Sequence, residues 1–471
     1  MRPGLFPVVR AGAVSPAVGL VVVCLGTLVV PFDSAVNVAF PDIVRGFGLP
    51  IPAIQWVIIA YTLTYAALML VFGRIGDMLG YRRIFLLGCG WSFVAFLLCA
   101  AAPSFAWLIG ARVLQGVGAA LVLSCGAALV TGLYPESQRT RILGIYTMLF
   151  GLGGALGPLL AGLLVAQWGW PAVFWARAPL ALFAFALGWT LPAASARAQH
   201  ERFDAAGAAL LVLAISALLL TLNQLRDIEQ NAIGVVAGGV LAVLSSAGFI
   251  WRELHTPQPI LELRFFRDAD FSLANAAQTA LNMAAFAVLL LVPFYLDRFS
   301  GLPVPAQGAI LAASNSGVML AAPLAGRWAS AIPPRRLALF GAAAMAIGQG
   351  LIGTTGAHPD LPLLAAAMFL QGSGLGLFQV AYFDIATVTI PREARGVAGS
   401  LVMMTRTVGV VTGATVLMLI FQALRGTALH AGAADQAAFL SGFQGAFRLS
   451  AVIPVLIALA MLLRGWARRD A

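Results

Sequence analysis

Several ionisable side chains fall inside long apolar stretches of the sequence, where a charge is costly unless it has a partner or a function. They are Asp33, Arg112, Arg177, Asp384, Arg406 and Arg448. A carboxyl group in such a place can bind and release a proton. A guanidinium that approaches it in only one conformation would couple protonation to that conformation. We therefore predict that Asp33 carries a proton and that Arg112 is its partner, the alternative being a fixed pair that only specifies packing.

The positions of these residues along their predicted helices are compatible with a shared site. At 1.5 Å per helical residue, Asp33 and Arg112 both lie roughly 10 Å below the same end of the bundle, and Arg177 reaches a similar depth. Arg177 and Arg448 are each expected either to contact an anionic substrate or a lipid head group, or to extend toward the membrane surface. For Asp384 and Arg406 we favour a structural pair over a second proton relay.

The composition of the chain indicates that lipid is its main solvent. Of its 471 residues 61% are hydrophobic and only 10% are charged, whereas soluble proteins carry about 25% charged residues. A bilayer core about 30 Å thick requires about 20 apolar residues per helix, and about fourteen stretches satisfy this. They are residues 15–40, 52–73, 84–102, 105–127, 141–166, 172–193, 206–226, 231–252, 270–296, 303–325, 335–357, 361–383, 396–422 and 443–465. We predict an all-α polytopic membrane protein.

The residue types present argue against several other classes of function. The net charge of +10 comes entirely from arginine, in short clusters between apolar stretches, so we predict no nucleic-acid partner. A phosphate-binding loop of the GxxxxGK type is excluded because the chain has no lysine. No convergent set of acid, base and nucleophile is found at one membrane face, and His and Cys show no metal-ligand spacing. We predict that the chain is not an enzyme and binds neither metal nor cofactor.

The distribution of arginine predicts the orientation of the chain. With the N-terminus inside, most arginines fall in cytoplasmic segments, including Arg82, Arg83 and Arg335. The few that fall outside are Arg45, Arg226, Arg298 and Arg425. Because short cytoplasmic loops carry an excess of positive charge, we predict a multi-pass protein of the cell membrane with both termini in the cytoplasm.

An internal repeat predicts how the helices are grouped. Gly73-Arg74 followed by Arg82-Arg83 recurs as Gly326-Arg327 followed by Arg335-Arg336 at a constant offset. Both copies lie between the second and third helices of a six-helix set. Transporters are commonly built from such repeats, with the substrate site between them. The predicted organisation is a first half at 1–203, two inserted transmembrane helices at 204–265, and a second half at 266–471.

Four motifs resemble those of one known family. One is the acidic motif that ends the first helix and contains Asp33. Another is the loop after helix two, with Gly73, Asp77, Gly80, Arg82 and Arg83. Helix four contains Arg112, Gln115 and Gly116, and helix five contains Gly144, Gly153, Gly157, Pro158 and Gly162. Over nearly its whole length the chain resembles the fourteen-helix drug:proton antiporter family of the major facilitator superfamily.

The resemblance implies a function for each motif. It implies proton-coupled efflux of small amphipathic compounds of the drug or antibiotic type by alternating access, with Asp33 and Arg112 in proton coupling. The loop between Gly73 and Arg83 is expected to act as a conformational latch, and helix five as a bendable, closely packed helix. An importer or uniporter of a metabolite on the same fold is the alternative. The expected partners are a small-molecule substrate, protons and the lipid bilayer, with the monomer as functional unit.

The sequence departs from the family pattern at two places. Arg177 stands before Pro179, where the family often has an asparagine. In the second copy of the loop, Ser330 stands where the first copy has Asp77. These departures bear on which substrate is bound and leave the predicted fold unchanged.

Overall fold

A computed structural model describes residues 15–135, 139–192, 204–224, 228–256, 266–328, 332–389 and 395–464. The described residues are mostly helical, and no strand occurs among them. The helices are α1 Pro16–Leu28, α2 Ala35–Val38, α3 Phe40–Phe47, α4 Gln55–Leu79, α5 Tyr81–Ala100, α6 Phe105–Gly132, α7 Arg139–Trp168, α8 Ala172–Trp175, α9 Ala178–Gly188, α10 Ala205–Gln224, α11 Ile228–His255, α12 Ala269–Phe299, α13 Val304–Trp328, α14 Pro334–Ile352, α15 Leu361–Thr389, α16 Arg395–His430 and α17 Asp435–Leu463.

The helices agree with the predicted membrane spans. In the described part of the chain, 11 helical segments are long and apolar enough to cross a membrane. Two shorter apolar segments, Ala172–Gly188 and Ala205–Leu218, occupy the sixth and seventh predicted spans, and α14 occupies the eleventh. The prediction of an all-α polytopic membrane protein is confirmed, and about fourteen spans are compatible with these helices.

The first predicted span is not one continuous helix. α1 ends at Leu28, a 3₁₀ turn covers Pro31–Ser34, and α2 begins at Ala35. Because Pro31 has no backbone N–H, it cannot continue the hydrogen-bond ladder of α1. Asp33 therefore lies in a break between helices. Irregular backbone at membrane depth is tolerated where it is enclosed by protein.

The sixth predicted span is interrupted as well. α8 ends at Trp175, α9 begins at Ala178, and Arg177 is the residue that precedes α9. Pro179 fits the first turn of α9, where its missing N–H is not needed, but it cannot donate to the carbonyl of Trp175. The chain therefore breaks beside Arg177, much as it breaks beside Asp33 in the first span.

At one end of the bundle the two halves share a single apolar core. Buried side chains from both halves belong to it, and the rings of Phe40 and Phe294 stack at 6.4 Å between centroids. Arg45 and Asp297 lie at the same end and form an ion pair. We call this end the Arg45 end, and the opposite end, where Arg82 lies, the Arg82 end.

At the Arg82 end, the described apolar side chains form two separate clusters. The cluster of the first half contains Phe85 and Val122, and that of the second half contains Phe271 and Tyr382. Because burial of shared apolar surface holds helices together, the halves are joined most firmly at the Arg45 end. The bundle is thus closed at that end by a common core.

The inserted helices α10 and α11 lie on the outside of the bundle. α10 packs against α4 of the first half and α16 of the second, whereas α11 packs mainly on α10. The outer face of α11 is apolar and exposed, with Ile233 87% and Val243 68% accessible. An apolar face of this kind is stable only against lipid.

Candidate functional site

Asp33 is the centre of a cluster of charged and polar side chains in the first half. Its Oδ1 accepts hydrogen bonds from Arg112 Nη1 at 2.7 Å, Arg177 Nη1 at 2.6 Å and Gln115 Nε2 at 2.9 Å. Its Oδ2 accepts one from Arg112 Nη2 at 2.8 Å. The side chain of Asp33 is 14% exposed. Two guanidinium groups and an amide stabilise the charged carboxylate in this conformation.

Arg112 is held on several sides by α4 and α6. Its Nε donates to the carbonyl oxygen of Val57 at 2.8 Å, and its Nη1 also donates to Gln115 Oε1 at 2.7 Å. The guanidinium carbon lies 4.3 Å from the centroid of the Tyr61 ring. At Gly116 an added Cβ would lie 2.7 Å from the carbonyl oxygen of Tyr61, so glycine allows the close approach of α6 to α4. The guanidinium is therefore fixed in direction as well as buried.

Arg177 reaches the same carboxylate from the break between α8 and α9. Its Nε donates to the carbonyl oxygen of Val173 at 2.9 Å. The guanidinium carbon lies 4.6 Å from the centroid of Phe96 and 5.4 Å from that of Phe174. The side chain is 0% exposed. Arg177 is thus buried against a carboxylate of its own chain, and a contact with a substrate or a lipid head group stays a prediction.

The cluster carries one more positive than negative charge. Arg112 and Arg177 share the single carboxylate of Asp33. Arg177 Nη2 is buried and has no hydrogen-bond partner among the described residues. An uncompensated buried guanidinium is destabilising, so loss of the carboxylate charge would leave both arginines without a counterion. The protonation state of Asp33 therefore controls the electrostatic balance of this region.

The glycines of α7 pack against the broken first span. A Cβ added at Gly157 would overlap Ser34 Oγ and lie 3.1 Å from the backbone nitrogen of Ala35. At Gly153 it would lie 2.7 Å from Leu28 Cδ1. Ser34 Oγ also donates to the carbonyl oxygen of Gly154 at 3.0 Å. α7 therefore supports the turn that carries the carboxylate.

Gly157→Ala is expected to destabilise the protein by about 1–3 kcal/mol, because the added methyl group overpacks against the Asp33 turn. Stability is measured as loss of the monodisperse peak on heating. Gly154→Ala is the control, since a Cβ there would lie 3.6 Å from Asn315 Oδ1 in ordinary contact. Equal stability of the two variants would contradict this account of α7.

The other face of α7 packs against α13 of the second half. A Cβ added at Gly162 would lie 2.8 Å from Pro305 Cα. One added at Gly151 would lie 3.8 Å from Met319 Cα. Pro158 and Gly144 also belong to α7. The helix-five motif thus places one helix in contact with both the Asp33 turn and the opposite half, as small residues allow in membrane helices.

The predicted latch lies at the Arg82 end, at the junction of α4 and α5. Its residues are Gly73, Asp77, Gly80, Arg82 and Arg83. Gly80 has φ of 94°, a region that favours glycine. Arg82 donates to the carbonyl oxygen of Trp189, within its own half, and Arg83 is exposed. The side chain of Asp77 lies outside the described residues, so the latch function stays a prediction.

The remaining charges are spread over the second half. Arg406 lies in α16 beside Thr407, whose side chain bonds to Tyr65 of α4. The side chain of Asp384 lies outside the described residues, so the pair it was expected to form with Arg406 stays a prediction. Arg448 is exposed on α17.

Sequence reasoning missed several carboxylates that form ion pairs, among them Asp297 and Asp270. Asp297 pairs with Arg45 across the halves at 2.5 Å. Asp270 pairs with Arg335 at 3.1 Å and with Arg464 at 3.3 Å, which ties α12, α14 and α17 together. Both acids lie at the ends of helices, where a charge is ordinary and gives no signal in the sequence.

The fold and the motifs agree with a single sequence family. The family described as the Major Facilitator Superfamily matches this chain over residues 23–313 and 276–470. The chain belongs to the Major Facilitator Superfamily. As a member of this transporter family it is a multi-pass membrane protein, and the family gives no indication of an enzyme.

Among proteins of known name, this major facilitator is similar to several bacterial transporters. It is 30% identical to the multidrug resistance protein Stp of Mycobacterium tuberculosis (strain ATCC 25618 / H37Rv), over 84% of this chain and 74% of that protein. It is 28% identical to the tetracenomycin C resistance and export protein of Streptomyces glaucescens, with the same coverage of 84% and 74%. It is 27% identical to the riboflavin transporter RibZ of Clostridioides difficile (strain 630), over 84% and 86%.

Solved structures show the same fold at low sequence identity. A bacterial homologue of the human lysosomal transporter Spinster, in an inward-facing and unoccupied conformation, superposes with a TM-score of 0.70 at 17% identity, covering 95% of this chain and 96% of that one. The POT family transporter PepTSo superposes with a TM-score of 0.68 at 14% identity, covering 95% and 98%. At these identities the likeness concerns the fold alone.

Proposed function

We propose that this major facilitator exports small amphipathic compounds across the cell membrane in exchange for protons, with both termini in the cytoplasm. The observation that carries the proposal is the buried carboxylate of Asp33, held by Arg112 and Arg177 close to the closed Arg45 end. A membrane-depth acid with two cationic partners on other helices is suited to release a proton when the partners are close and to bind one when a conformational change weakens these contacts. The relatives named for drug resistance or antibiotic export support the export of such compounds and do not bear on the proton.

The described conformation fits one stage of such a cycle. With the Arg45 end outside, the common apolar core and the Arg45–Asp297 pair close the outer side. Asp33 is then in the state that has released its proton toward the cytoplasm, because two guanidinium groups stabilise the carboxylate. Substrate binds between the halves from the cytoplasmic side. For a new proton to bind, the outward-open state must weaken the contacts of Asp33 with Arg112 and Arg177, and this requires a movement within the first half.

The test is transport by purified protein in sealed vesicles. Ethidium and riboflavin serve as fluorescent amphipathic probes, and a pH step across the membrane supplies the gradient. We expect probe movement only while the gradient exists, accompanied by proton movement in the opposite direction. Transport that continues unchanged after the gradient is collapsed would support a uniporter, and proton movement in the same direction as the probe would support an importer.

Asp297→Asn is expected to make the outer side open more often, because it removes the ion pair that joins the two halves. An exposed pair contributes about 0.2–1 kcal/mol, so the labelling of Ala39→Cys by an impermeant thiol reagent should accelerate by a factor of about 1.4 to 5. Ala39 is 0% exposed in the closed end, and the four native cysteines are buried.

Asp435→Asn is the matched control for this labelling experiment. Asp435 lies at the same end, but it pairs with Arg298 and Arg425 of its own half. Its substitution removes the same charge without removing a contact between the halves. A similar acceleration in both variants would mean that the Arg45–Asp297 pair does not hold the outer side closed.

A further inference from the structure

A cavity of about 390 Å³ lies between α16 and α17, near the Arg45 end of the second half. It is lined by Leu424, Ala437, Leu440, Ser441, Gln444, Gly445 and Arg448. A Cβ added at Gly445 would overlap Leu424 Cδ1, so the glycine allows α16 and α17 to meet at this place. The lining therefore combines apolar residues with a hydroxyl, an amide and one positive charge.

Among the described residues, Arg448 has no anionic partner. Its Nε donates to the carbonyl oxygen of Gly353 at 3.3 Å, and no ion pair to Arg448 occurs among the described residues. The side chain is exposed on the surface of the bundle. Arg464, at the other end of the same helix, lies about 24 Å away at 1.5 Å per residue, and the hydrocarbon core of a bilayer is about 30 Å thick. The two side chains therefore cannot both lie beyond the hydrocarbon core, and of the two only Arg464 has an ion pair, with Asp270, among the described residues. An unpaired charge close to lipid is costly.

The surface of α17 changes from polar to aliphatic at Arg448. Toward the Arg45 end the cavity offers Ser441 and Gln444, and Gln444 Nε2 donates to the carbonyl oxygen of Thr355 at 2.8 Å. Toward the Arg82 end the exposed residues of α17 are aliphatic. They are Leu449, Val452, Val455, Leu456, Leu459, Leu462 and Leu463. A molecule with an anionic head and a hydrocarbon chain matches this order of polar groups followed by apolar surface.

We propose that this cavity binds the phosphate of a phospholipid from the leaflet at the Arg45 end. The guanidinium of Arg448 pairs with the phosphodiester, which is the anion that a bilayer supplies at this depth. Ser441 lies where it can donate to the head group, and an acyl chain lies along the aliphatic residues that begin at Leu449. An anionic head group binds more tightly than a zwitterionic one, because choline would bring a second cation close to Arg448.

The simplest alternative is that Arg448 only extends toward water and binds no particular molecule. Under that alternative its charge would be interchangeable with that of any other exposed arginine on the bundle. The shape of the cavity would also have no influence on which lipids remain with the protein. A lipid site is therefore distinguished from an extended side chain by two measurements: the effect of moving the lost charge to another arginine, and the effect of filling the cavity.

The test is native mass spectrometry of the purified full-length protein from micelles that contain equal amounts of phosphatidylglycerol and phosphatidylcholine. We expect wild type to retain phosphatidylglycerol in preference to phosphatidylcholine. Arg448→Gln should weaken retention of phosphatidylglycerol by about tenfold, which corresponds to about 1.4 kcal/mol, because the charge-assisted hydrogen bond to the phosphate is lost. Ser441→Trp, which fills the cavity without changing a charge, should weaken retention similarly.

Arg464→Gln is the control with the same change of charge on the same helix. It should retain phosphatidylglycerol as wild type does. Equal loss in Arg448→Gln and Arg464→Gln, or unchanged retention in Arg448→Gln and Ser441→Trp, would overturn the proposal. Displacement of the lipid by inorganic phosphate at equal concentration would also overturn it, because the site would then recognise a free anion rather than a lipid. The result is independent of the proposed transport reaction, since no gradient or substrate is used.

Discussion

Asp33→Asn is expected to abolish proton-driven transport in vesicles, because the amide cannot bind and release a proton in this pH range. The same substitution leaves Arg112 and Arg177 without a counterion. Loss of one partner from a buried ion pair costs about 3–5 kcal/mol of stability, so the variant should also unfold at a lower temperature. Transport is measured as probe movement after a pH step, and stability as loss of the monodisperse peak on heating.

Two further measurements separate lost coupling from lost folding. Exchange of labelled for unlabelled probe without a gradient should survive in Asp33→Asn, since exchange does not require net proton movement. Asp33→Glu, which keeps the carboxylate, should restore part of the driven transport. Asp42→Asn serves as control, because Asp42 is a carboxylate on the neighbouring helix that pairs with Arg45. Driven transport by Asp33→Asn at the wild-type rate would refute the proton-carrier role.

The combined replacement Arg112→Gln and Arg177→Gln is expected to destabilise the protein by more than the sum of the two single replacements. Each single variant still leaves Asp33 one guanidinium, whereas the double variant leaves a carboxylate without a cationic partner. The excess should fall within about 0.5–3 kcal/mol, as is usual for residues in one network. Thermal unfolding of the four proteins in the cycle measures it.

The two single variants should also differ from each other. Arg112 makes two hydrogen bonds to the carboxylate and further bonds to Val57 and Gln115, whereas Arg177 makes one to the carboxylate and one to Val173. Arg112→Gln is therefore expected to lower both stability and driven transport more than Arg177→Gln. Strict additivity in the cycle would mean that Arg177 and Arg112 do not act on one shared carboxylate.

The helices were predictable because the bilayer imposes a length and an apolar composition that can be measured along the chain. Helix boundaries were less predictable, because they depend on local chemistry. The breaks at Pro31 and before Pro179 were not predicted, although both prolines are visible in the sequence. A proline in an apolar stretch is compatible with a kink, a break or a helix start, and packing decides among them.

The candidate site was predictable only in part. Equal depth suggested that Asp33 and Arg112 could meet, but depth leaves the direction around each helix axis undetermined. For Arg177 the break before α9 fixes that direction, and the sequence does not reveal it. Contacts between distant segments, such as Arg45 with Asp297, depend on the conformation of the whole bundle. Exposed arginines and acids at helix ends are too common for their pairing to be inferred from spacing.

The interruption of the first span suggests how protonation of Asp33 acts on the closed Arg45 end. Asp33 occupies the joint between two stiff segments, and Arg45 lies on α3, at the far side of that joint. The turn at Pro31–Ser34 is connected to α3 through the short helix α2. A small change of backbone angles in the turn would therefore displace α3 relative to α1. Protonation of Asp33 would then move α3 and weaken the ion pair between Arg45 and Asp297. The effect would pass along the backbone of the first span and would not require side-chain rearrangements through the core.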